Sequence, residues 1–220
     1  MKRNVDLKEI SDGRLYSAND MVKADCGGCQ GCSACCRGMG SSIVLDPLDA
    51  WRLGTWLHLS FDQMLERQIE LNLADGVILP NLKMAGPEER CPFLNDAGRC
   101  AVHPARPGVC RLFPLGRYYE NHGFRYFLQI HECPSKSRSK IRVSKWVDTP
   151  RLKDYEAFVT EWHYFLNYLE ERVRSCQDAG KVRELNLYML KQFYLLPWDG
   201  DRDFYEVFRE RLEAAREAVG

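Results

Sequence analysis

Five of the ten cysteines of the chain lie in one short run, Cys26-Gly27-Gly28-Cys29-Gln30-Gly31-Cys32-Ser33-Ala34-Cys35-Cys36. Four more are dispersed downstream at Cys91, Cys100, Cys110 and Cys133, and only Cys176 follows them. Short Cys-x2-Cys steps let two thiolates converge on one ion, and glycines between them lower the steric cost of the tight turns. The sequence therefore predicts a metal-binding module from residue 26 to residue 133.

The composition is that of an ordinary globular protein. Of the 220 residues, 45% are hydrophobic and 28% are charged, which argues against disorder. Lys and Arg total 31 and balance the 31 acids, so no global field attracts nucleic acid, and a nucleic-acid partner is not expected. No apolar run approaches the roughly 20 residues of a membrane span, and the basic start lacks the apolar stretch of a secretion signal. We expect a cytoplasmic protein with reduced thiols and no membrane association.

Two kinds of metal centre remain open. Tetrahedral zinc takes four ligands, so two zinc sites would use eight of the nine candidate thiols. The spacing Cys26-x2-Cys29-x2-Cys32-x3-Cys36 equals that of the bacterial ferredoxin run, although Arg37 stands where that run has proline. Spacing thus favours an iron–sulfur cluster of the [4Fe–4S] type, with zinc as the alternative. The candidate metal ligands are Cys26, Cys29, Cys32, Cys35, Cys36, Cys91, Cys100, Cys110 and Cys133.

Basic side chains flank one of the dispersed cysteines. Arg106 and Arg111 lie on either side of Cys110, and guanidinium groups near clustered thiolates would neutralise their charge and donate hydrogen bonds to sulfur. We therefore name both arginines as candidate cofactor-binding residues, while ordinary salt bridges elsewhere explain either one equally well. His103 and His131 are weaker ligand candidates because nine thiols are available.

Hydrophobic periodicity predicts an α+β protein. A loop-rich cysteine module with small β-hairpins (residues 1–148) packs against a mainly α-helical C-terminal region (149–220), and the two form one compact unit. The first 25 residues are polar and predict an arm. Residues 136–153 carry a local excess of basic side chains and predict a solvated linker.

Local signals place the individual elements. Asp46-Pro47 predicts a helix start, and Ser60 predicts a second helix that continues to Leu71. Residues 77–84 predict an extended segment, and the turn signals predict hairpins over 91–102 and 117–130. Three C-terminal helices are expected to begin at Thr149, Lys181 and just after Asp201.

Taken in order, the motifs resemble a known family. The resemblance is carried by Cys29-x2-Cys32-x2-Cys35-Cys36, Asp46, Cys91-Pro92-Phe93-Leu94, Gly98-Arg99-Cys100 and Arg106-Pro107-x2-Cys110-Arg111-x-Phe113-Pro114. This set is similar to the CxxCxxCC, or YkgJ-type, cysteine-cluster family, which is described as zinc- or iron-chelating. The resemblance implies metal binding by the motif cysteines, while Cys26 is additional to the motif and inherits no role. Flagellin lysine methylases resemble the chain distantly, only in the CysCys and Cys-Pro-Phe-Leu regions, and carry an iron–sulfur cluster.

The sequence leaves three classes of function open. A metal–sulfur protein for electron transfer, sensing or metal handling is favoured, because thiolate is the only concentrated chemistry in the chain. A cluster-dependent protein-modifying enzyme such as a lysine N-methylase is the second class, although no nucleotide-binding or S-adenosylmethionine motif is present. The third class is a zinc-stabilised interaction module that binds a protein partner. Enzyme activity is therefore left undecided at this stage.

Overall fold

The computed structural model describes residues 6–28, 32–135 and 137–220. Within these residues the chain forms eight α-helices and seven strands, which confirms the predicted α+β class. In chain order the elements are α1 (Leu7–Ile10), β1 (Ser11–Tyr16), β2 (Met21–Asp25), α2 (Pro47–Leu57), α3 (Phe61–Arg67), β3 (Ile69–Ala74), β4 (Val77–Leu82), α4 (Gly108–Leu112), β5 (Leu115–Glu120), β6 (Gly123–Gln129), β7 (Ser139–Arg142), α5 (Val143–Val147), α6 (Leu152–Ser175), α7 (Ala179–Leu190) and α8 (Phe204–Val219).

The predicted N-terminal arm is wrong, because β1 and β2 are integral strands. β1 pairs antiparallel with β6 in a three-stranded sheet of order β1-β6-β5, and β2 pairs antiparallel with β7. Side chains alternate along β2, with Val22 and Ala24 buried and Met21 and Lys23 exposed. This period of two marks a half-buried strand, but it is too short to stand out in a polar segment.

The predicted helix start at Asp46 is confirmed. The Asp46 carboxylate accepts from the N–H of Asp49 at 2.8 Å, and the Asp49 carboxylate accepts from the N–H of Asp46 at 3.4 Å. This capping box satisfies N–H groups that the first turn leaves unpaired, and Pro47 fits the first helical position because it needs no N–H partner there.

The second helix is shorter than predicted. Ser60 caps α3 as expected, but the helix ends at Arg67 instead of Leu71. Residues from Ile69 onward leave the helix because they pair residue by residue with β4. The extended segment predicted over 77–84 is confirmed as β4, and the hairpin predicted over 117–130 is confirmed as β5 and β6.

Two further predictions need correction. The hairpin expected over 91–102 is a series of turns joined by one bridge between Leu94 and Cys100. The expected linker over 136–153 contains β7 and α5 among its described residues, and Val143 and Val147 are fully buried. Basic side chains such as Lys140 are exposed. The charge pattern therefore indicated the exposed face of this segment but gave no sign of its buried apolar face.

The three predicted C-terminal helices are confirmed as α6, α7 and α8, with α7 continuing into a π-helical turn at Lys191–Leu195. Their inner faces share one core with the cysteine-bearing half of the chain. Phe158 of α6 and Phe208 of α8 meet edge to face with ring centroids 4.6 Å apart, and Phe93 and Leu94 belong to the same buried cluster. The partition at residue 148 stays a prediction, but the turns that carry the cysteines rest directly on the helices.

A second, smaller core lies under the N-terminal strands and includes Val22, Tyr126 and Val143. Across residues 6–28, 32–135 and 137–220, none of the helices combines the length and the hydropathy needed to cross a bilayer.

Candidate metal centre

Five of the nine candidate cysteines are brought together from three separate segments, and we call them the inner cysteines. Cys35 and Cys36 end a 3-10 turn at Ala34–Cys36. The backbone N–H of Cys91 donates to the carbonyl of Cys36 at 2.9 Å, which joins this turn to the second segment. Leu94 bridges to Cys100 at the other end of that segment, and Cys110 enters from α4.

The inner thiols lie close enough for their charges to act on one another. Burial raises the pKa of Cys91 and Cys100, and negative charge on Cys35 would raise both pKa values further. Cys110 has a pKa well above its ordinary value, first because of burial and then because of Cys91 and other acidic neighbours. A hydrogen bond with Cys36 is the main reason for the raised pKa of Cys35. Protonated thiols lose their protons when a metal ion binds to the sulfur atoms. This set of sulfur donors suits a thiolate-bound metal.

Arg106 acts on these thiols. Its positive charge lowers the pKa of Cys35 and of Cys100, but other effects raise these two pKa values by more. Its Nη1 lies 2.6 Å from Nε2 of His103 and donates to it, while its Nε is buried without a hydrogen-bond partner among the described residues. Burial, followed by the charge of Arg106, lowers the pKa of His103. Arg106 therefore lies within electrostatic range of Cys35 and Cys100, and its role in cofactor binding stays a prediction.

Arg111 has a different environment. Its guanidinium donates to the carbonyls of Arg106 at 3.2 Å and Asp148 at 2.9 Å, and also to that of Pro104. These bonds hold the turn before α4 against the loop that precedes α6. The hydrogen bonds described for Arg111 thus go to the backbone, and the expected contact with sulfur is not among them.

The remaining candidates, which we call the outer cysteines, are Cys26, Cys29, Cys32 and Cys133. Cys26 directly follows β2 and is half-buried, Cys32 is exposed, and Cys133 is half-buried between β6 and β7. Cys29 lies outside the described residues. The β2–β7 pairing places Asp25, which precedes Cys26, opposite Ser139 at the start of β7.

Two hydrogen bonds fix the Cys26 end of that sheet. The Ser139 hydroxyl donates to the Asp25 carboxylate at 3.0 Å. Arg99 Nη1 donates to the carbonyl of Gly28 at 3.0 Å, which ties the loop after Cys26 to the turn that carries Cys100. Cys176 lies apart from both groups, at the end of α6, and its Sγ donates to the carbonyl of Asp178 at 3.6 Å.

No group of three or more Cys, His, Asp or Glu side chains among residues 6–28, 32–135 and 137–220 has the geometry of a ready coordination shell. The inner thiols are adjacent without being preset for one ion. Ligands carried on turns can take their final geometry with the ion, in which case part of the binding free energy becomes folding free energy.

Asp49 is a buried residue of the centre that sequence reasoning missed. Its Oδ1 accepts from the N–H of Gly108 at 2.8 Å, and Gly108 opens the α4 turn that carries Cys110. Burial, followed by the charge of Asp46, raises the pKa of Asp49 well above its usual range. The Asp-x-x-Asp pattern of Asp46 and Asp49 indicated only a helix start. The hydrogen bond from Gly108 to Asp49 gave no sequence signal, because the two residues are far apart in the chain.

Tyr155 of α6 also packs against the turn that begins at Gly108. The Tyr155 hydroxyl accepts from Nη2 of Arg117 at 2.7 Å and packs so closely on Gly108 that a Cβ at that position would collide with it. Arg117 also stacks over the Tyr155 ring at 5.4 Å. The loop that presents Cys110 is therefore held between α2 and α6.

Comparison with known protein families agrees with this geometry. Residues 28–134 match the model of the CxxCxxCC family, described as a putative zinc- or iron-chelating domain. This match confirms the predicted resemblance of the segment to the CxxCxxCC family and supports metal binding in general. The matched range includes all of the candidate ligands except Cys26. Neither a search of curated proteins nor a search of solved structures found a match.

Proposed function

We propose that the protein holds an iron–sulfur cluster of the [4Fe–4S] type and serves in electron transfer, sensing or metal handling. The observation that carries this proposal is the convergence of five thiols from three segments. A [4Fe–4S] cluster and a tetrahedral zinc ion each take four thiolates, so the ferredoxin-like spacing of the first cysteine run is what favours the cluster over zinc. Cys91, Cys100 and Cys110, with either Cys35 or Cys36, are the proposed ligands of this inner centre.

The outer cysteines are proposed as ligands of a second centre. Cys26, Cys29 and Cys32 follow one another at ferredoxin-like spacing, and the β2–β7 pairing supports the approach of Cys133. With the inner centre this gives eight proposed ligands, and the ninth candidate is whichever of Cys35 and Cys36 does not bind.

The surrounding residues suit a redox centre. An iron–sulfur cluster supplies one-electron chemistry, and burial, net charge and hydrogen bonds to sulfur set its reduction potential. Arg106 is proposed to compensate the charge of the thiolates, which fits its effect on Cys35 and Cys100. Arg111 is proposed to hold the turn that carries Arg106. Reduced thiols of this density suit the cytoplasm, which we propose as the location.

Zinc is the second candidate, because four inner thiols also suit one tetrahedral zinc ion. The protein would then be a zinc-stabilised module for a protein partner. The cluster-dependent enzyme stays a prediction without a described site for a methyl donor.

The test is anaerobic purification followed by metal analysis and absorption spectroscopy. We expect stoichiometric iron and sulfide in a brown protein that bleaches with dithionite or air. A colourless protein with full zinc occupancy would replace the cluster by zinc. A folded protein that binds neither metal would refute both candidates.

A further inference from the structure

The hairpin of β3 and β4 has one free edge. On the far side of β4, the N–H of Leu82 donates to the carbonyl of Ile43 at 3.0 Å. The N–H of Ile78 donates to Oδ1 of Asn186 in α7 at 2.6 Å, so this side of β4 is occupied. On the side of β3, no further strand pairs with the hairpin in the part of the chain that the structure describes. β3 is therefore an edge strand.

The register of the hairpin shows which main-chain groups point towards the free edge. Three of its pairs are Ile69 with Leu82, Leu71 with Pro80 and Leu73 with Ile78. Leu82 and Ile78 donate away from β3, and Pro80 has no N–H, so these are the antiparallel pairs that exchange no hydrogen bonds. The N–H and C=O groups of Ile69, Leu71 and Leu73, which we call the edge residues, therefore point away from β4.

The free edge lacks the devices that usually protect an edge strand. Leu71 is 39% exposed and Leu73 is 70% exposed. β3 contains no proline or lysine, and it pairs with β4 without a bulge. Its one charged residue, Glu70, accepts from Nδ2 of Asn72 and of Asn81 at 3.2 Å each. A regular edge with exposed leucines is a template for a further strand.

We propose that β3 forms a homodimer interface by pairing antiparallel with β3 of a second copy, about a two-fold axis at Leu71. Leu71 then lies opposite Leu71 of the second copy, and Leu73 lies opposite Ile69. All three edge residues are matched with edge residues, and each matched pair exchanges two hydrogen bonds. Because the axis pairs the edge with itself, the assembly closes at two copies.

The charges along the edge favour a second copy over an unrelated strand. Arg67 lies four residues before Leu71 and Asp75 lies four residues after it, so this register brings Arg67 of one copy to the end of the interface that holds Asp75 of the other. Both side chains are exposed. Glu70 lies opposite Asn72 of the second copy, so the register opposes no two like charges. The edge is thus complementary to itself.

The test is sedimentation velocity of the full chain as purified, over a series of protein concentrations. We expect a reversible equilibrium between monomer and dimer. Leu73→Lys should raise the dissociation constant about tenfold, because it replaces an apolar side chain in two symmetry-related pairs by a charged one. Leu71→Pro should weaken the dimer at least as much, because it removes the N–H at the axis while leaving the hydrogen bonds to β4 in place.

Met21→Lys is the matched control, since Met21 is 51% exposed on β2, in a different sheet. It should dimerise like the parent protein. Hydrogen exchange gives a second measurement. The amide of Leu71 should gain protection as the concentration rises, whereas that of Asn72, which faces β4, should be protected throughout.

Three results would overturn the proposal: a monomer at every concentration, a growing series of larger oligomers, or a dimer that Leu73→Lys leaves unchanged. Leu73 is largely exposed, so this variant keeps the test decisive even when Leu71→Pro does not fold. None of the candidate metal ligands lies on β3, and the inference goes beyond the proposed function. Metal content measured on each variant separates loss of the dimer from failure of the metal centre.

Discussion

The backbone N–H of Cys91 donates to the carbonyl oxygen of Cys36 at 2.9 Å. Two cysteines from distant parts of the chain are thus joined by main-chain atoms, independently of their thiols. Replacement of either side chain leaves this hydrogen bond available. Cysteine variants therefore test ligand chemistry with little direct change to the connection between the two segments.

Cys91→Ser is expected to lose the metal of the inner centre and to unfold at a lower temperature than the parent protein, and one of Cys35→Ser and Cys36→Ser should do the same. The two losses should occur together, because free energy of metal binding adds to free energy of folding where the unfolded chain has no site. Metal analysis and thermal unfolding of the same preparation measure both. Cys176→Ser is the control, since Cys176 lies apart from both groups of cysteines. Equal metal content in Cys91→Ser and Cys176→Ser would contradict the assignment.

Asp49→Ala is expected to lower the free energy of unfolding by about 2 kcal/mol, because it leaves the buried N–H of Gly108 without its acceptor. Asp49→Asn retains an acceptor oxygen and should have a smaller effect. Urea unfolding in the presence of a chelator measures the change without a contribution from metal. Asp62→Ala, an exposed acid in the first turn of α3, is the matched control. The role given to Asp49 fails if the two alanine variants are equally stable.

Gly108→Ala is expected to destabilise the protein, because the new Cβ collides with the Tyr155 hydroxyl. Tyr155→Phe alone also destabilises, since it removes the acceptor of Arg117. In the double variant the collision is relieved, so the combined loss should be smaller than the sum of the single losses. A double-mutant cycle of unfolding free energies measures this coupling.

Gly200→Ala is the control for the glycine substitution, since nothing lies within 4 Å of the position of its Cβ. It should change stability little. Additive effects of Gly108→Ala and Tyr155→Phe, within about 0.5 kcal/mol, would show that the two residues are not in contact.

Stability is expected to fall with rising pH through Tyr16. Burial and the hydrogen bond from its hydroxyl to Asp12 raise the pKa of Tyr16 from 10.0 to about 12. Because the folded-state pKa is the higher one, the contribution is fully present below pH 10 and is lost as the pH rises towards 12. Urea unfolding at a series of pH values should therefore show a shallower alkaline decline for Tyr16→Phe. Parallel curves for the two proteins would refute the role of Tyr16.

Local signals predicted the elements that local forces determine. The capping residues Asp46 and Ser60 identified the starts of two helices, and apolar spacing identified the three C-terminal helices. Cysteine spacing indicated the metal-binding module because its motifs are short and ordered. These features depend on residues a few positions apart, which a sequence shows directly.

The features that were missed depend on distant partners. β1 pairs with β6 and β2 pairs with β7, which both lie about a hundred residues further along the chain. β3 replaces the end of a predicted helix because each of its residues has a partner in β4. The contact of Asp49 with Gly108 and the packing of Tyr155 on Gly108 join three elements that are separated in sequence. In each case, contacts between distant parts of the chain overrode the structure that the local sequence pattern favoured.

The segment recognised by sequence similarity is smaller than the segment that folds. Residues 28–134 include Phe93 and Leu94, yet these side chains are buried in a core that also contains Phe158, Phe193 and Phe208 from beyond residue 134. An excised fragment with the family boundaries would expose that apolar surface to water and would tend to aggregate. Preparations meant to study the metal centre therefore need α6 to α8, even though none of the candidate metal ligands lies there.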